Sequence, residues 1–256
     1  FGAWITSGTE TEQAIPDLSA LIQREMGAGR SGIACMTIHT TCLSFLVSLD
    51  TAASLLQTGR YKNILIVSAD ISSCALNYNE PESAALFGDA AGAAVVTRTP
   101  EGEASCVHVA RLETYGDGAA LTEIRGGGAR KPPNSPKTQY EDNLFHMEGP
   151  KVYRMARQYI DQFMEKLRPG LSQGLGEIKL VIPHQASLFA LRALRRNNVP
   201  DEKVMITLDR YGNCVASSLP ITLYETITEG RMNRGDQVLM AGTGAGLSLG
   251  GLIMTY

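Results

Sequence analysis

Short apolar runs rich in β-branched residues alternate with stretches whose apolar positions recur at helical spacing, the pattern of βα units on a largely buried sheet. This pattern predicts strands at Ala3–Thr6, Ala34–Ile38, Asn63–Ser68, Gly92–Thr97, Val107–Glu113, Lys179–Pro183, Lys203–Leu208, Gln237–Ala241 and Leu247–Thr255. Helical spacing covers Leu18–Met26, Leu43–Thr58, Gly149–Leu167, Ser187–Asn197 and Ala216–Glu229. The stretch Gly126–Pro136, rich in Gly, Pro and basic residues, reads as a surface loop. It divides the chain into units over 1–125 and 137–256.

The two units echo each other. Cys42 opens a helix that runs to Gln57-Thr58-Gly59-Arg60 and is followed by the strand Asn63–Val67; Asn213 opens one that runs to Thr228-Glu229-Gly230-Arg231 and is followed by Gln237–Met240. Eighteen positions separate Cys42 from Arg60, and eighteen separate Asn213 from Arg231. Each strand then leads to small residues, Gly88–Ala94 in one unit and Ala241–Gly246 in the other. A duplicated βαβ unit is the simplest account, with Cys42 and Asn213 at equivalent helix N-termini.

Composition narrows the function. With 256 residues, 44% hydrophobic and 19% charged, the chain can bury one or two cores and is not a disordered tail. A net charge of −3 and scattered Lys and Arg leave no footprint for nucleic acid. No apolar run approaches the roughly 20 residues of a membrane span. Five cysteines at irregular spacing do not make a disulfide framework, which points to a reducing cytoplasm. The four histidines share no ligand spacing, so no metal is expected. The chain starts at Phe1 and runs straight into a strand, and further N-terminal sequence is expected before it.

Three polar residues stand at strand-to-helix junctions, where open α/β sheets place ligand groups. The sulfur of Cys42 would face unpaired N–H groups and the positive end of a helix dipole, which favours thiolate. His184 ends the apolar run Leu180–Pro183, and Asn213 follows Asp209-Arg210-Tyr211-Gly212. Gly244-Ala245-Gly246 lacks the Lys-Ser/Thr of a phosphate loop and is followed by a strand. Small residues there let backbone N–H groups approach a ligand oxygen, as an oxyanion hole requires.

The segments Gly59–Val67, Leu86–Val95, Val181-Ile182-Pro183-His184-Gln185-Ala186, Thr207–Asn213 and Gly242–Leu247 together resemble β-ketoacyl-acyl-carrier-protein synthase III of the thiolase superfamily. The resemblance implies an α/β fold, the five-layered αβαβα duplication of thiolases, and a homodimer. It implies a Cys42-His184-Asn213 triad, an oxyanion hole from the N–H groups of Cys42 and Ala245, and no cofactor, with CoA and phosphopantetheine thioesters as substrates. An acyl-CoA primer would acylate Cys42, and a malonyl thioester on acyl carrier protein or CoA would then condense with loss of CO₂. Ile15, Phe145, Met147, Ser187, Gly244 and Gly246 would contact substrate. Arg192, Arg195 and Arg196, on one helix face, would dock the acidic carrier.

The chain departs from that family at several points. Leu43-Ser44 follows the nucleophile where a small residue and Gly are usual, Ser187 replaces Asn after His-Gln-Ala, and Pro81 and Phe189 stand where Arg is frequent. These differences suggest a specialised homologue. Its alternative chemistry is condensation of acyl-CoAs without decarboxylation, or simple acyl transfer. A papain-like hydrolase shares the Cys, His, Asn order but needs a signature around the nucleophile that Thr40-Thr41-Cys42-Leu43 lacks.

Overall fold

Contiguous apolar strands such as Ala3–Ser7, Leu180–Pro183 and Ser248–Thr255, buried on both faces over nearly their whole length, dictate the architecture. The computed structural model describes residues 2–8, 12–194 and 198–256. One sheet is formed by β1 (Ala3–Ser7), β2 (Ala34–Ile38), β3 (Asn63–Asp70) and β4 (Ala90–Thr97) in the order β2-β1-β3-β4. Its first three strands are parallel, and β4 runs antiparallel to β3. The other contains β5 (Cys106–Thr114), β8 (Leu180–Pro183), β9 (Gln237–Gly244) and β10 (Ser248–Thr255) in the order β5-β10-β9-β8. A two-stranded ribbon, β6 (Thr122–Glu123) with β7 (His146–Met147), lies in sequence between β5 and β8.

Alternation along each strand sorts the helices into layers. Ala3, Ile5, Ile64 and Ile66 of the first sheet and Leu180, Ile182, Val238 and Met240 of the second converge on one core. That core is filled by Phe45 and Leu46 of α2 (Ser44–Gln57) and Leu219 of α7 (Ser218–Thr228). On the far face of the second sheet, Val181, Leu239 and Ile253 meet Phe163, Met164 and Leu167 of α4 (Gly149–Leu167). The outer face of the first sheet carries α1 (Leu18–Glu25). The result is five layers, helix, sheet, helices, sheet, helix. Shorter helices are α3 (Pro81–Ala84), α5 (Leu188–Ala193) and α6 (Leu208–Tyr211).

Three expectations change. Lys203–Leu208 is not a strand: only Val204 bridges Val181, and Asp201–Lys203 is a 3₁₀ turn. Strand β5, assigned from sequence to the unit 1–125, pairs antiparallel with β10 and belongs to the second sheet. The chain therefore passes from the first sheet to the second between β4 and β5.

The third concerns the internal echo. In one half Thr41 has φ +50°, and the Ser44 hydroxyl accepts from Thr40 N at 2.9 Å; in the other Val215 has φ +48°, and the Ser218 hydroxyl accepts from Cys214 N at 3.0 Å. Each device opens a helix through a 3₁₀ turn, Thr41–Leu43 and Val215–Ser217. Cys42 thus corresponds to Ala216, and Asn213 lies three residues earlier. The equal spacing to Arg60 and Arg231 arises because α7, with 11 residues, is about one turn shorter than α2, with 14.

Candidate active site

Cys42 sits in the 3₁₀ turn that leads into α2, so the turn's position fixes the thiol at a helix entrance. Two glycines of β9 let this turn approach the second sheet. A Cβ at Gly244 would stand 2.7 Å from Thr41 Oγ1, and one at Gly242 would stand 3.4 Å from Leu43 Cδ2 and 2.6 Å from His184 Cβ. Only a residue without a side chain lets His184 and the Cys42 turn share the end of β9.

His184 follows β8, its N–H donating to Ala241 O at 2.8 Å. The residue is 4% exposed, and its Nδ1 is buried with no hydrogen-bond partner. Burial lowers the imidazole pKa to about 4, so the ring is uncharged at neutral pH and offers one N–H.

Gln185 holds the histidine loop in place, a role that sequence reasoning missed. Its Nε2 donates to Pro183 O at 2.8 Å and Met205 O at 3.2 Å. Its Oε1 accepts from Thr207 N at 3.0 Å and Leu208 N at 3.1 Å. These bonds replace the ladder that a strand through Thr207 would have made, and adjacency to His184 was the only signal available from sequence.

Asn213 lies on the other side of the same loop. Its Oδ1 caps the following turn by accepting from Val215 N at 2.9 Å, and its Nδ2 reaches Ala186 O at 3.5 Å. Its backbone pairs with the first half, Asn213 N to Leu86 O at 2.6 Å and Gly88 N to Asn213 O at 3.1 Å. Gly88 is required there, because a Cβ would come within 2.0 Å of Tyr211 O. Buried Asp70 adds a second tie between halves, accepting from Ser217 N and Oγ at 3.1 and 3.0 Å.

Phe145 packs edge-on against Phe87, ring centroids 4.8 Å apart, and Phe87 bridges Asn213. Met147 lies in β7, its methyl 3.7 Å from the Cβ position of Gly149. Ser187 caps α5, its hydroxyl accepting from Ala190 N at 3.2 Å. Gly244 ends β9, and Ala245, Gly246 and Leu247 form the turn to β10, which Tyr115 clamps through paired backbone bonds with Leu247. Ile15 is elsewhere: it is 83% exposed and does not line the cavity beside His184. Phe189 packs tilted against Tyr153, ring centroids 4.7 Å apart, and Arg192 is exposed in the last turn of α5. Arg195 and Arg196 lie outside the described residues.

The family models for the 3-oxoacyl-[acyl-carrier-protein] synthase III domain and for its C-terminal domain match residues 36–116 and 172–256. The β-ketoacyl-[acyl-carrier-protein] synthase III of Syntrophomonas wolfei is 30% identical over 253 residues, 98% of this chain and 75% of that protein. The chain belongs to the synthase III family. Synthase III 1 of Bacillus cereus is 33% identical over 248 residues, covering 96% of this chain and 73% of its own length. The crystal structure of synthase III from Aquifex aeolicus superposes with a TM-score of 0.85 at 30% identity, over 100% of this chain and 77% of that one. At 17% identity and a TM-score of 0.84, OleA of Xanthomonas campestris shares the fold. This synthase III-type enzyme therefore has the thiolase-like α/β fold. Among the described residues no helix is long and apolar enough to cross a membrane.

Proposed function

We propose that the enzyme carries out a decarboxylative condensation through acyl-Cys42. The thiolate of Cys42 attacks the thioester carbonyl of an acyl-CoA primer, and CoA departs as its thiol. A malonyl thioester, on carrier protein or CoA, then loses CO₂. His184 and Asn213 donate to the enolate oxygen as charge develops, and the carbanion attacks the acyl carbonyl. The tetrahedral oxyanion is met by the N–H groups of Cys42 and Ala245, and its collapse expels the Cys42 thiolate and releases a β-ketoacyl thioester.

The observation that carries this reading is the uncharged, buried His184 sharing Gly242 with the Cys42 turn. A neutral imidazole can donate to an enolate without holding a fixed charge beforehand. Phe145, Met147, Ser187, Gly244 and Gly246 surround the substrate in this scheme, and no cofactor enters it. Arg192, with Arg195 and Arg196, would meet the acidic carrier. The open edge of β2, where Met36 and Ile38 are half-buried, suits pairing with a second copy in a cytoplasmic homodimer.

Intact-mass spectrometry after exposure to a panel of acyl-CoAs tests the scheme. One acyl adduct, absent in Cys42→Ala, is expected; an adduct that persists in Cys42→Ala would overturn it.

A further inference from the structure

Between α4, α5 and the outer face of the second sheet lies a cavity whose lining is mostly apolar. Ala156 and Ile160 of α4, Ala190 of α5, and Leu239 and Ala241 of β9 form its walls, and His184 stands at its polar end. Small residues keep it open at Ala156, Ala190 and Ala241, where larger aliphatic side chains would fill a core.

The pleat of β9 says which substrate can reach it. Val238 and Met240 point into the inner core with α2, and Gly242 and Gly244 continue that side to meet the Cys42 turn. Leu239 belongs to the core on the opposite face, with Ala241 packed against that core. Cys42 and the cavity are therefore on opposite faces of one sheet, and His184, beyond the end of β8, belongs to both. A chain esterified to Cys42 starts on the inner face. A group in the cavity belongs to the thioester that approaches Cys42 past His184.

We infer that this cavity takes an alkyl chain on the α-carbon of the incoming malonyl thioester, so that the enzyme makes α-branched β-ketoacyl products. This rests on the condensation proposed above and names its donor. The balance is unchanged: CO₂ leaves the substituted malonyl unit, its α-carbon bonds to the acyl carbon, and the Cys42 thiolate is released. An apolar substituent suits it, since the Ala156, Ile160, Ala190, Leu239 and Ala241 walls offer an alkyl chain dispersion contacts, with Arg157 and Thr243 the polar residues of the lining besides His184 and Tyr153.

The test loads Cys42 with acetyl-CoA and compares malonyl-CoA with octylmalonyl-CoA as donor, by single-turnover product analysis and by the rise in Tm each donor produces. In the unaltered protein octylmalonyl-CoA should give the branched product and the larger Tm rise. Ala156→Leu, which fills the cavity, should lower the octylmalonyl-to-malonyl rate ratio at least tenfold and abolish the extra Tm rise. Ile160→Ala, which enlarges it, should raise the ratio, a gain that poor folding cannot produce. Ratios unmoved by both substitutions would overturn the inference, as would a dependence on the length of the primer chain instead. Failure of acetyl-Cys42 to form would sink the condensation itself, and the Tm arm would then still decide whether the cavity takes the chain.

Discussion

A Cβ at Gly242 would lie 2.6 Å from the Cβ of His184, closer than two such atoms pack. The histidine occupies the space that any side chain on β9 would need. Gly242→Ala must push His184 away or bend the strand, and overpacking of this kind costs about 1–3 kcal/mol. Condensation should fall about a hundredfold or more, the loss seen when one donor to an oxyanion is misplaced. Thermal denaturation and single-turnover condensation of pre-formed acyl-enzyme check the two parts separately.

Gln185→Leu removes four hydrogen bonds, three of them buried, at nearly constant volume. The N–H groups of Thr207 and Leu208 lose their acceptor, at about 1–3 kcal/mol each. Urea unfolding should register that loss. Because Gln185 positions His184 and does not touch the acyl group, kcat for condensation should drop while KM for acyl-CoA holds.

How much of this was legible beforehand depended on whether a segment's partners were local. Ala34–Ile38 and Gly149–Leu167 form their elements over the stretches their patterns predict, because an apolar run or stripe is written in consecutive residues. Lys203–Leu208 has the composition of a strand, yet Thr207 and Leu208 give their N–H groups to Gln185, more than twenty residues away. The pairing of β5 with β10 is likewise a long-range choice, which no window of sequence contains. Cys42, His184 and Asn213 could be singled out because each ends or follows a recognisable element. Their common seat on Gly242 and Gly88 could not, since close approach depends on what faces a glycine.

Protonation of His184 should register in stability. Burial holds its pKa near 4 in the folded protein, against about 6.5 in an unfolded chain, so between these values the unfolded state binds the extra proton. The contribution is complete above pH 6.5 and is lost as pH falls toward 4, reaching about 3 kcal/mol. Unfolding free energies at pH 7 and 4.5 should therefore differ less in His184→Gln than in the unaltered protein. Equal differences would place the imidazole in contact with water.

Thiol chemistry should separate the cysteines. Cys214 is buried, and desolvation followed by the charges of Asp70 and Asp89 raises its pKa to about 11. Burial also raises that of Cys35. Under limiting iodoacetamide at neutral pH, Cys42 at its helix entrance should be alkylated first, and Cys214 should stay unlabelled until the protein unfolds. Peptide mapping reads both, and faster labelling of Cys74 or Cys106 would argue against an activated thiol at Cys42.

The seat that holds Cys42 in one half holds Ala216 in the other, within a turn of the same build. In the condensation proposed above, the two halves offer two places for a nucleophile and the chain uses one, while the histidine and the amide come from the half whose own place is a methyl group. On that scheme neither half contains a complete reaction centre, so they cannot be exchanged, separated or improved independently. What is inherited as a unit is the fit between them, and a substitution in Leu86–Gly88 can silence chemistry whose reacting atoms lie in the other copy.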